Sequence, residues 1–130
     1  MTTLLIVEDD PLILRMYQQA FEFSKHKTFV ADNGEDGLAK AKAEKPDVIL
    51  LDIMMPNMNG LEVLKKLKLD PDTKKIPVVM LTNLGRDKDI KTALSLGAVK
   101  YITKVDNTPK EVVKQVEQII DATTRDRIPE

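Results

Sequence analysis

The chain has 130 residues, a length that fits one domain with a hydrophobic core of its own. Its 20 basic and 21 acidic residues leave a formal net charge of -1, so no overall field favours nucleic acid or an anionic membrane surface. The absence of cysteine excludes disulfides and thiolate metal sites, and no apolar run has the length of a membrane span. The N-terminus lacks a secretory signal pattern, and we therefore expect a cytoplasmic protein.

Apolar runs alternate with helical patterns along the whole chain. In chain order, the predicted strands are residues 4–7, 28–31, 48–51, 78–81 and 99–102. The predicted helices are residues 11–23, 34–44, 60–69, 87–96 and 109–122. Several of their ends carry clear signals: Asp10 and Pro11 are a helix cap and first residue, and Gly97 is a typical residue after a helix.

This alternation predicts an α/β fold, a doubly wound five-stranded parallel sheet with five helices on its two faces. The first, third and fourth strands are almost wholly apolar, as strands buried on both faces are. The second strand is more polar and suits an edge, which favours the flavodoxin-like order 2-1-3-4-5. In such a sheet, ligands bind at the carboxyl ends of the first and third strands, where the strand order reverses.

Acidic residues follow both strands at this point of the predicted sheet. Glu8, Asp9 and Asp10 end the first strand, and Asp52 ends the third. Carboxylates that meet at one edge repel each other, and a hard divalent cation with oxygen ligands is the usual remedy. The acidic run by itself also fits a solvated loop with Asp10 as a cap, whereas an isolated carboxylate at the end of a buried strand is costly.

Two more polar residues are predicted at the same edge. Thr82 closes the fourth strand, and Lys104 follows the fifth. Carboxylates, a hydroxyl and an ammonium together suit the transfer of a phosphoryl group to a carboxylate, with Asp52 as the best nucleophile candidate. Taken alone, Thr82 also fits a hydrogen bond at a strand end, and Lys104 also fits a surface lysine.

With these residues, the chain resembles the receiver domains of bacterial two-component response regulators, the CheY-like family. The matching segments are spread along the chain and comprise residues 6–10, 50–56, 60, 82–83, 97–98 and 101–104. From this resemblance we expect a receiver domain over residues 1–123 and a charged C-terminal tail over residues 124–130.

The resemblance implies a role for each of these side chains. Asp52 would be the phosphoacceptor, Thr82 and Lys104 would contact the phosphoryl group, and Thr82 and Tyr101 would change position as switch residues. The site would bind Mg²⁺, and Mn²⁺ could substitute. The implied metal ligands are Glu8, Asp9, Asp52 and the main-chain carbonyl of Met54.

The resemblance also implies a signalling switch that catalyses only its own phosphorylation and dephosphorylation, and is not otherwise an enzyme. The implied donor is a sensor histidine kinase or a phosphotransfer protein. A downstream protein target would read the face made by the fourth helix, the fifth strand and the fifth helix. A phosphorylation-linked homodimer through this face is a further candidate, whereas direct binding to nucleic acid or membrane is not expected.

The chain departs from the family pattern after the lysine. The family usually has proline there, often after a cis bond, whereas Val105 follows Lys104 in this chain. Because a cis bond before a residue other than proline costs about 3 kcal/mol, we expect a trans bond and a differently shaped loop over residues 104–108.

Two apolar residues predict a long-lived phosphoryl group. Met54 and Leu84 lie two positions after Asp52 and Thr82, where the family resemblance places side chains beside the path of attacking water. Neither side chain can orient water by a hydrogen bond. We therefore expect slow self-dephosphorylation.

The single histidine is not a candidate for phosphorylation. His26 lies in a polar turn between Lys25 and Lys27, and nothing nearby in the sequence would position or support it. We expect it on the surface.

Three other classes of protein are compatible with parts of this pattern. A haloacid-dehalogenase-type phosphatase needs a second acid two residues after its nucleophile, where Met54 stands. A nucleotide-binding α/β domain needs a glycine-rich sequence after the first strand, where residues 8–11 read Glu-Asp-Asp-Pro. A receiver-like interaction module that is never phosphorylated stays open as the alternative function.

Overall fold

A computed structural model of the chain describes residues 2–83 and 87–127. Its strands are β1 (Thr3–Val7), β2 (Lys27–Ala31), β3 (Val48–Asp52), β4 (Val78–Thr82) and β5 (Lys100–Thr103). Its helices are α1 (Pro11–Phe23), α2 (Gly34–Glu44), α3 (Gly60–Leu69), α4 (Asp87–Ser95) and α5 (Pro109–Arg127). All neighbouring strands are parallel, in the order β2-β1-β3-β4-β5, which confirms the predicted α/β fold.

The sheet is covered on both faces because side chains alternate along each strand. Leu4 and Ile6 of β1 point to the face that α1 and α5 cover, where Phe21 is fully buried. Leu5 and Val7 point to the face that α2, α3 and α4 cover. The three central strands β1, β3 and β4 are therefore buried on both sides, which accounts for their continuous apolar sequences.

A sharp turn separates β1 from α1. The side chain of Asp10 accepts hydrogen bonds from the main-chain N–H groups of Leu12 and Ile13, and Pro11 is the first helical residue. Because the helix begins so soon after the strand, Glu8 and Asp9 stay at the carboxyl end of β1.

The last helix is longer than the sequence pattern predicts. We expected it to end near residue 122, and it continues to Arg127. Charged residues do not stop a helix, and the sequence between Pro109 and Pro129 contains neither glycine nor proline. Residues 128–130 of the predicted tail lie outside the described residues, and the domain boundary after residue 123 stays a prediction.

The prediction of a surface position for His26 was wrong. The His26 side chain is 12% exposed, and its Nε2 lies 2.7 Å from Oε2 of Glu117 on α5. The imidazole also meets the ring of Phe21 edge-on. The polar turn contains no sign of this contact, because Glu117 lies 91 residues further along the chain.

No helix within the described ranges is long and apolar enough to cross a membrane.

Candidate functional site

Two buried carboxylates lie side by side where β1 and β3 end. Val7 and Leu51 are partners in the parallel register, so Glu8 and Asp52 leave the sheet at the same edge. Main-chain hydrogen bonds hold both ends in place, from Glu8 to Ala31 (3.0 Å) on one side and from residue 53 to residue 81 (3.2 Å) on the other. Glu8 is 1% exposed and Asp52 is 3% exposed.

Asp9 joins these two residues in an acid group. Carboxylate oxygens of Glu8, Asp9 and Asp52 all lie within 4.8 Å of one another. Burial, followed by the hydrogen bond with Asp52, raises the pKa of Glu8. Burial and the neighbouring Glu8 raise the pKa of Asp9. The free energy of holding these carboxylates in their charged form is therefore unfavourable in the protein alone.

One ammonium group faces the three carboxylates. Nζ of Lys104 lies 2.5 Å from Oε1 of Glu8 and 3.4 Å from Oδ2 of Asp52, and its side chain is 9% exposed. The main-chain N–H of Lys104 donates to the carbonyl of Thr82 at 2.7 Å, which fixes the start of the loop. Together the four charged groups keep an excess of negative charge.

The loop after β3 folds back tightly against the acid group. The N–H of Gly60 donates to the carbonyl of Ile53 at 2.9 Å, and a Cβ atom at Gly60 would overlap the main-chain carbonyl of Asp52. Glycine is therefore required at this close approach. The N–H of Met54 donates to Oδ1 of Asp52 at 3.3 Å, while the Met54 side chain is 62% exposed. The predicted role of the Met54 carbonyl as a metal ligand is not decided by these contacts.

The two predicted switch residues lie in different surroundings. Thr82 is buried at the end of β4, the strand next to β3. It directly follows Leu81, which is the register partner of Asp52. Tyr101 is 38% exposed on β5 and lines a surface groove with Leu94. The structure thus places Thr82 at the same edge as the acid group and the Tyr101 side chain on the outer face.

The family is decided by a comparison over nearly the whole chain. The family model described as "Response regulator receiver domain" matches residues 4–117. The chain belongs to this family. Receiver domains are signalling modules of two-component systems, so the match confirms the family that the motifs predict and the coarse function that goes with it.

Two curated relatives differ in length from one another. Protein PilH of Pseudomonas aeruginosa is 38% identical over 104 residues, which cover 80% of this chain and 86% of PilH. The alkaline phosphatase synthesis transcriptional regulatory protein PhoP of Bacillus subtilis is 38% identical over 117 residues, 90% of this chain but 48% of PhoP. This chain spans about half the length of the transcriptional regulators that it matches.

Solved structures share both the fold and the family. A CheY-like receiver domain protein from Methanospirillum hungatei is 30% identical, with a TM-score of 0.88 over 97% of this chain and 98% of that one. The Mn²⁺-bound form of response regulator Rcp1 is 32% identical, with a TM-score of 0.76 over 92% of this chain and 91% of that one.

The receiver loop that departs from the family pattern contains a network of side-chain hydrogen bonds. The described ranges contain no cis peptide bond, so the bond between Lys104 and Val105 is trans, as expected. Nδ2 of Asn107 donates to the carbonyl of Thr103 at 2.9 Å, and Nε2 of Gln115 donates to Oδ1 of Asn107 at 2.8 Å. No motif marks the two amides, although the missing proline indicates that something else must shape the loop.

A buried tyrosine also lies within electrostatic reach of the acid group. Burial, followed by the charges of Glu8 and Asp52, raises the pKa of Tyr17 to about 12. Tyr17 is 1% exposed on α1 and therefore stays neutral at physiological pH. Its helical spacing is that of a core residue, which explains why the sequence pattern does not single it out.

The residues of the acid group fit a hard divalent cation. All three side chains offer carboxylate oxygens, the donors that Mg²⁺ and Mn²⁺ prefer. Burial, with the neighbouring carboxylates, raises the pKa values of Glu8 and Asp9, and a cation bound beside them would favour their charged forms. Leu84, the second apolar residue of the dephosphorylation prediction, lies outside the described residues.

Proposed function

We propose that this receiver domain is a phosphorylation-dependent switch that accepts a phosphoryl group on Asp52. The observation that carries the proposal is the buried acid group at the ends of β1 and β3, with Lys104 held against it. The donor would be a phosphohistidine of a sensor histidine kinase or of a phosphotransfer protein, which is the chemistry implied by the family.

In this proposal, Asp52 acts as the nucleophile. The N–H of Met54 restrains one of its oxygens and the ammonium of Lys104 the other, so the carboxylate is oriented before the donor arrives. One Asp52 oxygen attacks the phosphorus in line, a new P–O bond forms, and the P–N bond to the donor histidine breaks. Lys104 and Thr82 then hold oxygens of the transferred group.

Glu8, Asp9, Asp52 and the main-chain carbonyl of Met54 would hold a divalent cation beside the nucleophile. When bound, Mg²⁺ or Mn²⁺ supplies neutralisation of the carboxylates and of the phosphoryl oxygens. The carboxylate donor set and the Mn²⁺-bound form of the related Rcp1 support this assignment. The chain would also limit the access of water to the site, because Glu8 and Asp52 are almost wholly buried.

Phosphorylation would change the surface formed by α4, β5 and α5. Thr82 moves toward the new phosphoryl group, Tyr101 turns inward, and the population shifts between two packings of this face. The face exposes apolar side chains at Leu94, Val99 and Tyr101, which suits a downstream protein target or a phosphorylation-linked homodimer. We place this activity in the cytoplasm, without direct binding to nucleic acid or membrane.

The test is the intact mass of the protein after incubation with a small-molecule phosphodonor, with Mg²⁺ and with a chelator. The wild type is expected to gain one phosphate only with the metal, and Asp52→Asn none. Asp72→Asn is the matched control, since Asp72 is an exposed carboxylate in the turn after α3 and should be labelled like the wild type.

Two results would contradict the proposal. Labelling of Asp52→Asn to the wild-type level would show that another group is the nucleophile. If neither a small-molecule donor nor a panel of phosphorylated histidine kinases adds phosphate to the wild type, the domain is an interaction module that works without phosphorylation.

A further inference from the structure

The loop between β5 and α5 carries the lysine of the acid group, and two side-chain amides fix its shape. Asn107 donates to the carbonyl of Thr103 at 2.9 Å, and Gln115 on α5 donates to the side chain of Asn107 at 2.8 Å. Thr103 immediately precedes Lys104. Two consecutive hydrogen bonds therefore connect α5 to the peptide unit from which the Lys104 side chain extends.

Lys104 depends on its backbone for its position. Val105, the next residue, is 69% exposed and cannot anchor the loop by packing in the core. The lysine side chain is long and flexible, yet its Nζ must reach Glu8 and Asp52 at the same time. A displacement of the peptide unit moves the start of the side chain and therefore alters the distances from Nζ to the two carboxylates.

The main-chain bond from Lys104 to the Thr82 carbonyl (2.7 Å) holds the N–H side of this peptide unit, and Asn107 holds its carbonyl side. The other side-chain hydrogen bonds of the loop are less able to add to this restraint. The bond from Thr103 Oγ1 to Asp106 (3.0 Å) and the reciprocal bonds between Thr108 and Glu111 are exposed to solvent. The two bonds of Asn107 are partly buried, where a hydrogen bond is electrostatically stronger and a broken one costs more.

We infer that Asn107 and Gln115 are positioning residues for Lys104. Their hydrogen bonds restrain the loop conformation in this chain, which lacks the proline expected after the lysine. The inference rests on the proposed role of Asp52, and it adds two residues that would influence phosphoryl transfer to Asp52. Loosening the loop has two opposite consequences. Lys104 holds the phosphoryl oxygens less well, so transfer slows, and it competes less for Glu8, so a divalent cation binds more tightly.

The opposite changes in phosphorylation rate and in Mg²⁺ affinity distinguish a positioning role from a general contribution to the stability of the fold. A variant that only loosened the whole domain would weaken phosphorylation and cation binding together. A variant that releases Lys104 weakens the first and strengthens the second. A double-variant comparison with Lys104→Ala provides the second criterion, because residues that act through Lys104 have no further effect once it is absent.

The experiment uses the full chain with Asn107→Ala and with Gln115→Ala. Phosphorylation rates are measured by intact mass with a small-molecule phosphodonor, and Mg²⁺ affinity by titration calorimetry without donor. We expect transfer to slow and the dissociation constant for Mg²⁺ to fall, each by about two- to fivefold, the equivalent of about one net hydrogen bond. In the Lys104→Ala background, neither substitution should change either quantity.

Gln18→Ala is the matched control. Its side-chain amide donates to Oγ1 of Thr28 at 3.4 Å, away from the loop, so both quantities should stay at wild-type values. Urea unfolding identifies any variant that fails to fold, and Gln115→Ala, which leaves the bond from Asn107 to Thr103 in place, then carries the test.

The inference is overturned if Asn107→Ala weakens both quantities, leaves both unchanged, or acts equally without Lys104. Failure of the proposed function looks different, because the wild type itself would then take no phosphate. In that case, the dissociation constants for Mg²⁺ of the variants and the wild type alone test whether Asn107 and Gln115 position Lys104. A wild type that binds neither phosphate nor Mg²⁺ overturns both proposals.

Discussion

Two contacts between a basic side chain and a carboxylate connect distant parts of this chain, and they differ in the number of carboxylates. At the sheet edge, Lys104 faces Glu8, Asp52 and a third carboxylate. Between the end of α1 and α5, the ion-pair contact of His26 within the described residues is with Glu117. A one-to-one pair can be neutral as a whole and is sufficient as a structural contact. The excess of negative charge at the sheet edge opposes folding, and the divalent cation of the proposed function would relieve it.

The largest expected difference between the two regions is their response to Mg²⁺. At a free ion concentration of about 100 times the dissociation constant, a ligand that binds only the folded state adds about 2.7 kcal/mol to the free energy of unfolding. We expect this gain for the wild type and none for Asp9→Asn, which removes one charge of the acid group. The measurement is urea unfolding with and without Mg²⁺.

Glu117→Gln is the control for this experiment because it removes a carboxylate that contacts His26 and does not belong to the acid group. It should keep the full gain from Mg²⁺. If Asp9→Asn also keeps the full gain, the cation binds elsewhere and the acid group has been wrongly assigned.

The next effect concerns the lifetime of the phosphorylated state. The Met54 side chain is exposed beside Asp52 and cannot orient water. Met54→Asn supplies an amide that can, and we expect the phosphoryl group to be lost about three to ten times faster. Decay of the phosphoprotein is followed by intact mass after removal of the donor. Leu84→Glu, at a residue outside the described ranges, is expected to add to the acceleration.

Met16→Asn is matched to this change, since Met16 is an exposed methionine on α1. Its phosphoprotein should decay at the wild-type rate. Equal decay of Met54→Asn and wild type would show that an apolar residue at position 54 does not limit the access of water.

The smallest effect is the pH dependence of stability without metal. The raised pKa values of Glu8 and Asp9 mean that the folded state binds these protons more tightly than the unfolded chain does. Their contribution to stability is therefore complete below the ordinary values of 4.5 and 3.8 and is lost as the pH rises through the raised values. Neutralising Glu8 should recover part of this loss.

We expect metal-free Glu8→Gln to exceed the wild type by about 1 kcal/mol in its free energy of unfolding near about pH 7, with no difference below about pH 4. Glu117→Ala should have the opposite sign and lower stability by about 0.5 kcal/mol, the usual contribution of a partly exposed pair. Urea unfolding across this pH range measures both. A less stable Glu8→Gln at neutral pH would mean that the bond to Lys104 outweighs the burial of the charge.

The sheet was predictable from local sequence because its central strands are buried on both faces. The continuous apolar runs of β1, β3 and β4 can only be covered between two helical layers, and the more polar β2 indicates an edge. The strand order alone predicts that Glu8 and Asp52 meet, and no side-chain contact has to be known for this prediction. The sequence also identified Gly60 as a position that matches the family pattern. Only the structure gives the reason for glycine there, its close approach to the Asp52 carbonyl.

The contacts that were not predictable join residues far apart in the chain. The bond from Lys104 to Glu8 spans 96 residues, and Lys104 lies on a loop whose other hydrogen bonds include the one from Asn107 to Thr103. The contact of His26 with Glu117 spans 91 residues, and the polar neighbours of His26 gave the opposite indication. The pattern of apolar residues decides which faces are buried, but it does not decide which polar groups meet there.

The most direct test of the central claim is to locate the phosphate. Borohydride reduces an aspartyl phosphate to homoserine, which peptide mass mapping identifies at a single residue. After phosphorylation with Mg²⁺, we predict homoserine at position 52 and at no other position. Reduction of Glu8 or Asp9 in place of Asp52, or of no residue in a protein that has gained phosphate, would contradict the assignment of Asp52 as the phosphoacceptor.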